Sequence, residues 1–255
     1  MTTPVQEATR PNISAAFSMP VISPMIGVPP PYVYRDTKAL NVLFKSDAAV
    51  LRRLVPEPLR PNPDQPVVFY IGHFQFADFD LPYNEAGLLV PVNYGAKAGL
   101  FAVVLYLDKA NPIVGGREIY GWPKKEAEQV LFQEEQGRIV AGVTRYGKQI
   151  IRASFEAEHL IDPILPRPKD TLYLLKVIPT LEKDAPPDVL KLNAMVIDPD
   201  VIKQLHVGKA TLEFGASPFD SFLSEIPVNE ITYSELMVHD FILGHGRTVI
   251  DYLKE

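Results

Sequence analysis

The composition of the chain limits what it can be. It has 255 residues, of which 47% are hydrophobic, and a formal net charge of −6. A chain of this length can bury a sizeable core and lies near the upper limit for a single domain. Its charges are interspersed, without the basic stripe that a phosphate backbone requires, so nucleic acid is not an expected partner. The absence of cysteine excludes disulfides, thiolate nucleophiles, iron–sulfur clusters and cysteine-based zinc sites.

The start of the chain carries neither a basic segment nor the apolar segment of a secretory signal. No stretch of about 18 uncharged apolar residues occurs anywhere in the sequence. We therefore expect a cytoplasmic protein that does not associate with membranes.

Residues 1–31 are rich in proline and small side chains and end in three consecutive prolines. This composition favours an extended arm over a packed element. We predict that the arm lies along the surface or along a neighbouring subunit, and that residues 32–255 form one domain.

The first part of that domain combines a strand and a helix. Residues 39–44 have the apolar pattern of a strand, and residues 47–55 predict a short helix that ends before Pro56 and Pro58. This is the clearest helix in the sequence.

The remaining pattern is mostly that of β-strands, with runs of branched and aromatic residues separated by turn signals. A hairpin is predicted at Tyr146-Gly147, and short helices are predicted at residues 220–223 and 248–253. We expect an α+β fold of mostly antiparallel strands, a curved sheet or β-barrel with a few flanking short helices. The strands are predicted at residues 67–79, 100–107, 139–146, 149–158, 172–178, 189–196 and 208–214.

Chemistry concentrates in residues 115–125, which hold glycines, opposite charges, aromatic residues and the adjacent pair Lys124 and Lys125. A solvated lysine pair after a glycine turn is the ordinary interpretation. A lysine that attacks a carbonyl must instead be neutral, although its ordinary pKa is about 10.4. Burial beside Trp122 and Tyr120, or repulsion from Lys125, would favour the neutral form. Because a strand sends adjacent side chains to opposite faces, we expect burial to matter more than repulsion.

The order of these residues resembles the signature of the acetoacetate decarboxylase family, in which Gly116-Arg117-Glu118 is followed by Pro123-Lys124-Lys125. Further fragments match in the family's order and cover most of the chain after residue 30. They are Val55-Pro56-Glu57-Pro58-Leu59, Tyr83-Asn84-Glu85, Val90-Pro91-Val92, Tyr106-Leu107-Asp108 and Ile250-Asp251-Tyr252-Leu253-Lys254.

The resemblance implies roles for five residues. Lys124 would form a Schiff base with the substrate, Lys125 would modulate it, and Glu85 would position substrate or move protons. Arg117 and Glu118 would form an ion pair that fixes the lysine loop. The resemblance also implies a small oxo-acid substrate, a homo-oligomer, and no metal or organic cofactor.

The sequence departs from the family pattern at two pocket positions. Thr37 stands where the decarboxylases carry an arginine, and Tyr70 replaces an acidic residue. Arg35 would share a face with Thr37 on an extended strand and could replace the arginine as a carboxylate anchor. Arg35, Tyr70 and Trp122 are therefore the predicted substrate-binding residues.

Three functions remain open on this basis. The leading hypothesis is decarboxylation of a small β-keto acid, such as acetoacetate, through an iminium and an enamine on Lys124. The departures at Thr37 and Tyr70 motivate an alternative, an aldolase-dehydratase that acts on pyruvate-like oxo acids without loss of CO₂. The third possibility is a binding protein in which the lysine pair is inert.

Other chemistries find no support in the sequence. The five histidines have no metal-ligand spacing and are interpreted as structural or surface residues, and no Gly-x-Ser-x-Gly nucleophile motif is present. The pair Gly115 and Gly116 is attributed to backbone conformations that other residues avoid.

Overall fold

Strands dominate the computed structural model, which describes residues 17–77, 82–162 and 170–254. Together they form one sheet that connects the chain from Tyr32 to Asp251. The strands are β1 (Tyr32–Lys45), β2 (Arg60–Pro61), β3 (Val67–Phe74), β4 (Phe76–Ala77), β5 (Tyr83–Tyr94), β6 (Lys97–Leu107), β7 (Lys124–Glu126), β8 (Gln129–Glu135), β9 (Arg138–Arg145), β10 (Lys148–Leu160), β11 (Thr171–Ile178), β12 (Val189–Val196), β13 (Asp198–Phe214), β14 (Glu230–Leu243) and β15 (Arg247–Asp251).

The pairing of the strands is mixed but mostly antiparallel. The main order is β15-β12-β11-β6-β5-β3-β1-β14-β13-β10-β9-β8, and the short strands β2, β4 and β7 pair with β5, β1 and β6. In the described ranges, the two parallel pairs are β6 with β7 and β6 with β11. The predicted α+β class with mostly antiparallel strands is confirmed.

The sheet is curved without closing into a barrel by strand pairing. Its path ends at β15 and β8, which do not pair with each other. The β8 end nevertheless returns to the middle of the sheet, since the Asn84 side chain on β5 donates a hydrogen bond of 2.7 Å to the Val130 carbonyl on β8. This curvature encloses the larger apolar core.

The helices are few and short: α1 (Ala48–Leu54), α2 (Ala110–Gly115), a π-helix (Gly116–Tyr120) and a 3-10 helix (Ser221–Glu225). The helices predicted at residues 47–55 and 220–223 are confirmed. The helix predicted at 248–253 is wrong, because this segment pairs as β15 with the edge of β12, with Ile250 opposite Leu192. None of the helices in the described ranges is long and apolar enough to cross a membrane.

Each predicted strand overlaps an observed one, although the segment predicted at 67–79 is split into β3 and β4 and its last two residues lie outside the described part of the chain. Two long strands were missed, β5 and β14. The strand pattern of β5 is interrupted in the sequence by Asn84, Glu85 and Pro91. That of β14 is interrupted by polar residues such as Glu235 and His239.

The predicted hairpin at Tyr146-Gly147 joins β9 and β10, with Arg145 opposite Lys148. Both turn residues have positive φ, 51° for Tyr146 and 65° for Gly147. This is the backbone of the two-residue turn that matches the twist of a hairpin.

The described part of the predicted arm, residues 17–31, contains neither helix nor strand. It turns back on itself, because the Met25 amide donates to the Met19 carbonyl and the Ser23 amide donates to the Pro20 carbonyl. Ile26 is buried against the domain. The segment is therefore turned rather than extended over residues 19–25, and residues 1–16 lie outside the described part of the chain.

Candidate active site

A cavity of about 170 Å³ opens among β1, β3, β5, β14 and the start of β7. Its wall is mostly apolar, and a second core cluster, separate from the larger one inside the curve, supplies most of it. The polar side chains at its wall are therefore few and belong to identifiable strands. The aromatic wall residues are Tyr34, Tyr70, Phe74, Tyr83, Trp122 and Phe241.

Lys124 enters this cavity from β7. The side chain is 8% exposed, and its Nζ lies 2.8 Å from Oε2 of Glu85, which is 7% exposed. Parallel pairing with β6 sets the direction of the lysine, because Lys124 stands opposite Leu105. Glu85 comes from β5 on the other side of β6. The structure thus joins the two residues on which the family resemblance placed catalysis.

The lysine side chain packs directly on the backbone of Gly116. A Cβ atom there would lie 2.6 Å from Cδ and 2.7 Å from Cε of Lys124. Gly116 itself has ordinary right-handed helical angles, φ −60° and ψ −46°. Gly115 is helical as well, with φ −58° and ψ −43°, so the interpretation that the two glycines need unusual backbone conformations is wrong. A Cβ at position 116 would instead displace the end of the Lys124 side chain from its present position.

The π-helix that begins at Gly116 connects the lysine strand to the rest of the fold. Arg117 donates from Nη1 to the Lys124 carbonyl at 3.1 Å. Glu118 accepts a hydrogen bond of 3.4 Å from Ser18. In the described part of the chain, Arg117 and Glu118 form no ion pair with each other. The Arg117 side chain instead holds β7 through the backbone carbonyl of Lys124.

Tyr70 forms an ionisable cluster with Glu85 and Lys124 at the wall of the cavity. Its hydroxyl donates to Oε1 of Glu85, so that carboxylate lies between Tyr70 and Lys124. The ring can lie there because Gly87 stands opposite Tyr70, and a Cβ at Gly87 would come within 2.3 Å of the ring. Burial raises the pKa of Tyr70 well above its usual value of 10.0, and the neighbouring Glu85 raises it further. The Tyr70 hydroxyl therefore stays protonated and remains a hydrogen-bond donor to Glu85 at neutral pH.

Lys125 points away from the cavity, as the alternation of a strand requires. Its Nζ donates to Oδ1 of Asp220 and, at 2.9 Å, to the Phe219 carbonyl. The positive charge of Lys125 is thus neutralised on the opposite face from Lys124. A direct repulsion between the two ammonium groups is correspondingly weak.

Asp220 was not identified from the sequence, because three of its partners, Tyr106, Lys125 and Arg145, come from distant elements. It is fully buried and accepts hydrogen bonds from Tyr106 at 2.8 Å and Ser217 at 2.7 Å, besides the ion pair with Arg145 at 3.0 Å. Burial by itself would raise the pKa of Asp220, but the hydrogen bonds from Lys125, Ser217 and Tyr106 outweigh it and lower the pKa below 3.8.

Arg35 lies outside the cavity, contrary to the expectation that it shares a face with Thr37. A bulge interrupts the pairing of β1 with β14 between Tyr34 and Thr37, and Asp36 has a positive φ of 53°. The extra residue shifts the alternation, so Tyr34 and Thr37 face the cavity while Arg35 is exposed. Arg35 is therefore not placed to anchor a substrate carboxylate there.

His239 was interpreted as a structural or surface residue, but it lines the cavity and is 9% exposed. It stands opposite Thr37 across the β1–β14 pair. A sequence signal was available, because Glu235, Met237, His239 and Phe241 alternate with more exposed residues, as on a half-buried strand.

A second cavity of about 30 Å³ lies on another side of Lys124. Met25, Ile26 and Gly27 of the N-terminal segment form part of its wall, with Tyr120 of the π-helix. This places the N-terminal segment over the lysine loop. In the ranges that the structure describes, no three His, Asp or Glu side chains are grouped to hold a metal ion.

The predicted site residues thus divide into two groups. Those that line the larger cavity are Lys124, Glu85, Tyr70 and Trp122. Those that lie outside its wall are Lys125, Arg35, Arg117 and Glu118.

Comparison with known proteins places this geometry in a family. Residues 18–253 match the family model described as acetoacetate decarboxylase. The curated acetoacetate decarboxylase of Burkholderia cenocepacia is 33% identical over 248 residues, which is 95% of this chain and 97% of the relative. That of Burkholderia multivorans is 32% identical over the same length and shares. The chain therefore belongs to the acetoacetate decarboxylase family, which supports an enzyme with a decarboxylase-like role.

Solved structures agree with this assignment. A solved acetoacetate decarboxylase superposes with a TM-score of 0.85 at 25% identity, covering 94% of this chain and 98% of that one. The acetoacetate decarboxylase of Legionella pneumophila gives 0.82 at 25% identity, with 98% and 99% covered. The enduracididine biosynthesis enzyme MppR shares the fold at a TM-score of 0.79 and 18% identity, over 99% of this chain and 100% of that one.

Proposed function

We propose that this protein is a Schiff-base-forming decarboxylase of a small β-keto acid, acetoacetate or a close analogue, with Lys124 as its amine. The observation that carries the proposal is the buried contact of 2.8 Å between Lys124 Nζ and Glu85 Oε2 at the wall of a small apolar cavity. The two residues match the family's Schiff-base lysine and active-site glutamate.

The size of the cavity supports a small substrate. Its volume is about 170 Å³. An apolar cavity of about 150 Å³ accommodates benzene. A substrate of the size of acetoacetate fits such a space, with little room for a long side chain.

In the proposed reaction, imine formation comes first. The Lys124 amine must be neutral to attack the ketone, so its ammonium form must first give up a proton. Glu85 is placed to accept the lysine proton and to return it when the hydroxyl of the carbinolamine leaves as water. The product of this stage is a cationic iminium on Lys124.

Loss of CO₂ follows. The bond between the carboxylate and the α-carbon breaks, its electron pair moves into the iminium, and a neutral enamine remains on Lys124. Because the iminium itself accepts the electrons, the scheme needs no metal or organic cofactor. A proton taken up from solvent and passed through Glu85 or Tyr70 to the enamine carbon regenerates the iminium. Water then adds to the iminium and releases the ketone and the free lysine.

In this scheme Lys125 takes no part in the chemistry and instead positions β7, the strand that carries Lys124. Its hydrogen bonds to Asp220 and Phe219 hold β7 on the face opposite the cavity. Since β7 has three residues, fixing Lys125 also fixes the backbone of Lys124.

The second candidate is an aldolase-dehydratase that forms the same imine with a pyruvate-like oxo acid and keeps the carboxylate. Tyr70 favours this second candidate. Its hydroxyl donates to the Glu85 carboxylate, so a proton can pass through two groups instead of one. One MppR structure holds the condensation product of pyruvate and imidazole 4-carboxaldehyde, but at 18% identity it shares the fold with this chain and no more.

Borohydride reduction in the presence of acetoacetate tests the proposal, followed by peptide mapping. An isopropyl adduct on Lys124 requires both imine formation and decarboxylation. An adduct that retains the carboxylate supports the aldolase-dehydratase instead. Lys124→Ala should give no adduct, whereas the matched variant Lys125→Ala should still be labelled on Lys124. A wild-type protein that forms no adduct with acetoacetate, acetone or pyruvate contradicts both candidates.

A further inference from the structure

We propose that Thr37 and His239 together bind the carboxylate of the oxo-acid substrate. This inference rests on the proposed function and names the residues that recognise the acid. Neither residue is assigned a role by the reaction at Lys124.

A substrate carboxylate buried in this cavity needs hydrogen-bond donors. Several polar groups of the wall are already engaged: Tyr70 donates to Glu85, and Asn41 donates to Glu235 at 3.1 Å. Lys124 is consumed by the imine, and Glu85 would repel a second carboxylate. Thr37 and His239 are two further polar residues of the wall.

Thr37 presents a buried hydroxyl at the cavity wall. The residue is 1% exposed, and its Oγ1 has no hydrogen-bond partner in the described part of the chain. A buried hydroxyl without a partner is unfavourable, and a bound ligand that accepts its hydrogen bond removes that cost. The free donor therefore points to a polar group of the substrate.

His239 stands beside Thr37 on the same face of the sheet. The two residues are directly opposite each other in the β1–β14 register. Cβ atoms of such pairs are about 4.5–5.5 Å apart, so both side chains can reach one carboxylate. The imidazole can donate from either ring nitrogen, and stacking on Phe241, with ring centroids 5.3 Å apart, fixes its plane.

The strand register gives the distance between Thr37 and Glu85, whose carboxylate contacts the Lys124 amine. Ala39 on β1 is level with Gly72 on β3, which is level with Glu85 on β5. Thr37 lies two residues further along β1. Strand spacings then give roughly 12 Å between the Cα atoms of Thr37 and Glu85, with both side chains directed into the cavity between them. A small oxo acid can span the remaining gap with its ketone at Lys124.

The test compares ligands with and without a carboxylate. The extent of borohydride trapping on Lys124 is measured against the concentration of pyruvate, acetoacetate and acetone. Thr37→Val removes the hydroxyl and keeps the shape of the side chain, and Thr37→Ser retains the hydroxyl. His239→Leu removes the ring donor, and His239→Gln retains one.

Thr37→Val and His239→Leu should each raise the half-saturating concentration of the two acids by about tenfold or more, because each removes a hydrogen bond to a charged group. The value for acetone should change by less than about twofold, since acetone has no carboxylate. Thr37→Ser and His239→Gln should restore most of the acid affinity. Thermal unfolding of each variant shows whether it is folded.

Several results would overturn the inference. If Thr37→Val and His239→Leu leave acid trapping unchanged while the wild type is labelled, the carboxylate binds elsewhere and the proposed function stands. Equal losses for acetone and for the acids mean that the pair shapes the pocket without reading the carboxylate. A wild type that gives no adduct on Lys124 with any of the three ligands removes this inference together with the proposed function.

Discussion

At the scale of single residues, the site depends on side chains that are absent as much as on those that are present. Gly116 leaves the space that the Lys124 side chain occupies, and Gly87 leaves the space for the ring of Tyr70. Both glycines lie next to a residue of the ionisable cluster. Small residues therefore set the positions of Lys124 and Tyr70 around Glu85.

The first prediction concerns the neighbouring glycines of the lysine loop. Gly116→Ala should lower kcat by about a hundredfold, because its Cβ displaces Lys124 and a misplacement of about 1 Å costs that much. Gly115→Ala is the matched control, since a Cβ there lies 3.8 Å from Ile26 in ordinary contact. It should change kcat by less than about threefold. Equal losses in the two variants would show that the loop tolerates neither methyl group for some other reason.

The second prediction concerns the hydroxyl of Tyr70. Tyr70→Phe should lower kcat by about tenfold to a hundredfold, because Glu85 loses a hydrogen-bond donor and the proton path loses a member. The pKa of Tyr70 is raised well above 10.0 by burial and by Glu85, so the tyrosine stays protonated below pH 10. The shape of the pH–rate profile between pH 7 and 10 should therefore be the same in the variant. A decline in rate that disappears in Tyr70→Phe would assign that decline to Tyr70.

At the scale of elements, the short strand β7 has two different faces. Lys124 is at the cavity, and Lys125 is bound to Asp220 between the 3-10 helix and the sheet. The strand is held along one edge by β6 and underneath by this contact. Its three residues would otherwise have few means of keeping Lys124 in place.

The third prediction separates a positional role of Lys125 from an electrostatic one. Lys125→Gln should lower the free energy of unfolding by about 2 kcal/mol, because Asp220 loses a charged donor. The pH of half-maximal imine trapping should stay the same, since the Lys125 charge is already neutralised. A shift of that pH by a unit or more would show that Lys125 tunes Lys124 through its charge.

A control for this variant is available on the surface. Lys45 pairs with Glu230 at 2.8 Å, and the two side chains are 63% and 60% exposed. Lys45→Gln removes the same charge and should cost at most about 1 kcal/mol, because exposed ion pairs contribute little. Urea denaturation of the two variants at pH 7 provides the comparison.

At the scale of the whole molecule, Asp220 links parts of the chain that are far apart in sequence. Its partners lie on β6, on β7, at the end of β9 and just before the 3-10 helix. It therefore ties the curved sheet to the strand that carries the lysine.

The fourth prediction is that Asp220 makes the fold sensitive to acid. Its pKa is lowered in the folded protein, so its contribution to stability is complete above the unfolded value of 3.8 and is lost as pH falls through the lower folded value. Asp220→Asn should lose about 3–5 kcal/mol at pH 7, since it leaves Arg145 and Lys125 without a counter-charge. The difference from the wild type should shrink below pH 4. Urea denaturation from pH 7 to pH 3 measures it, and a difference independent of pH would contradict this account.

The sequence by itself determined the features that are encoded locally. Alternation along the strands predicted the sheet class and the opposite directions of Lys124 and Lys125, and turn chemistry predicted the hairpin at Tyr146-Gly147. The order of short motifs identified the family and selected Lys124 and Glu85 together. Each of these depends on residues close in the chain or on a pattern that the family preserves.

The tertiary structure alone decided which residues meet around the lysine. The bulge after Tyr34 turns Arg35 outward and leaves Thr37 in the cavity, and it arises from the register with a strand some 200 residues later. The same register places His239 at the cavity. Asp220 binds Lys125, which is 95 residues away in the sequence. Strand register and close packing depend on contacts between distant segments, so no local pattern in the sequence specifies them.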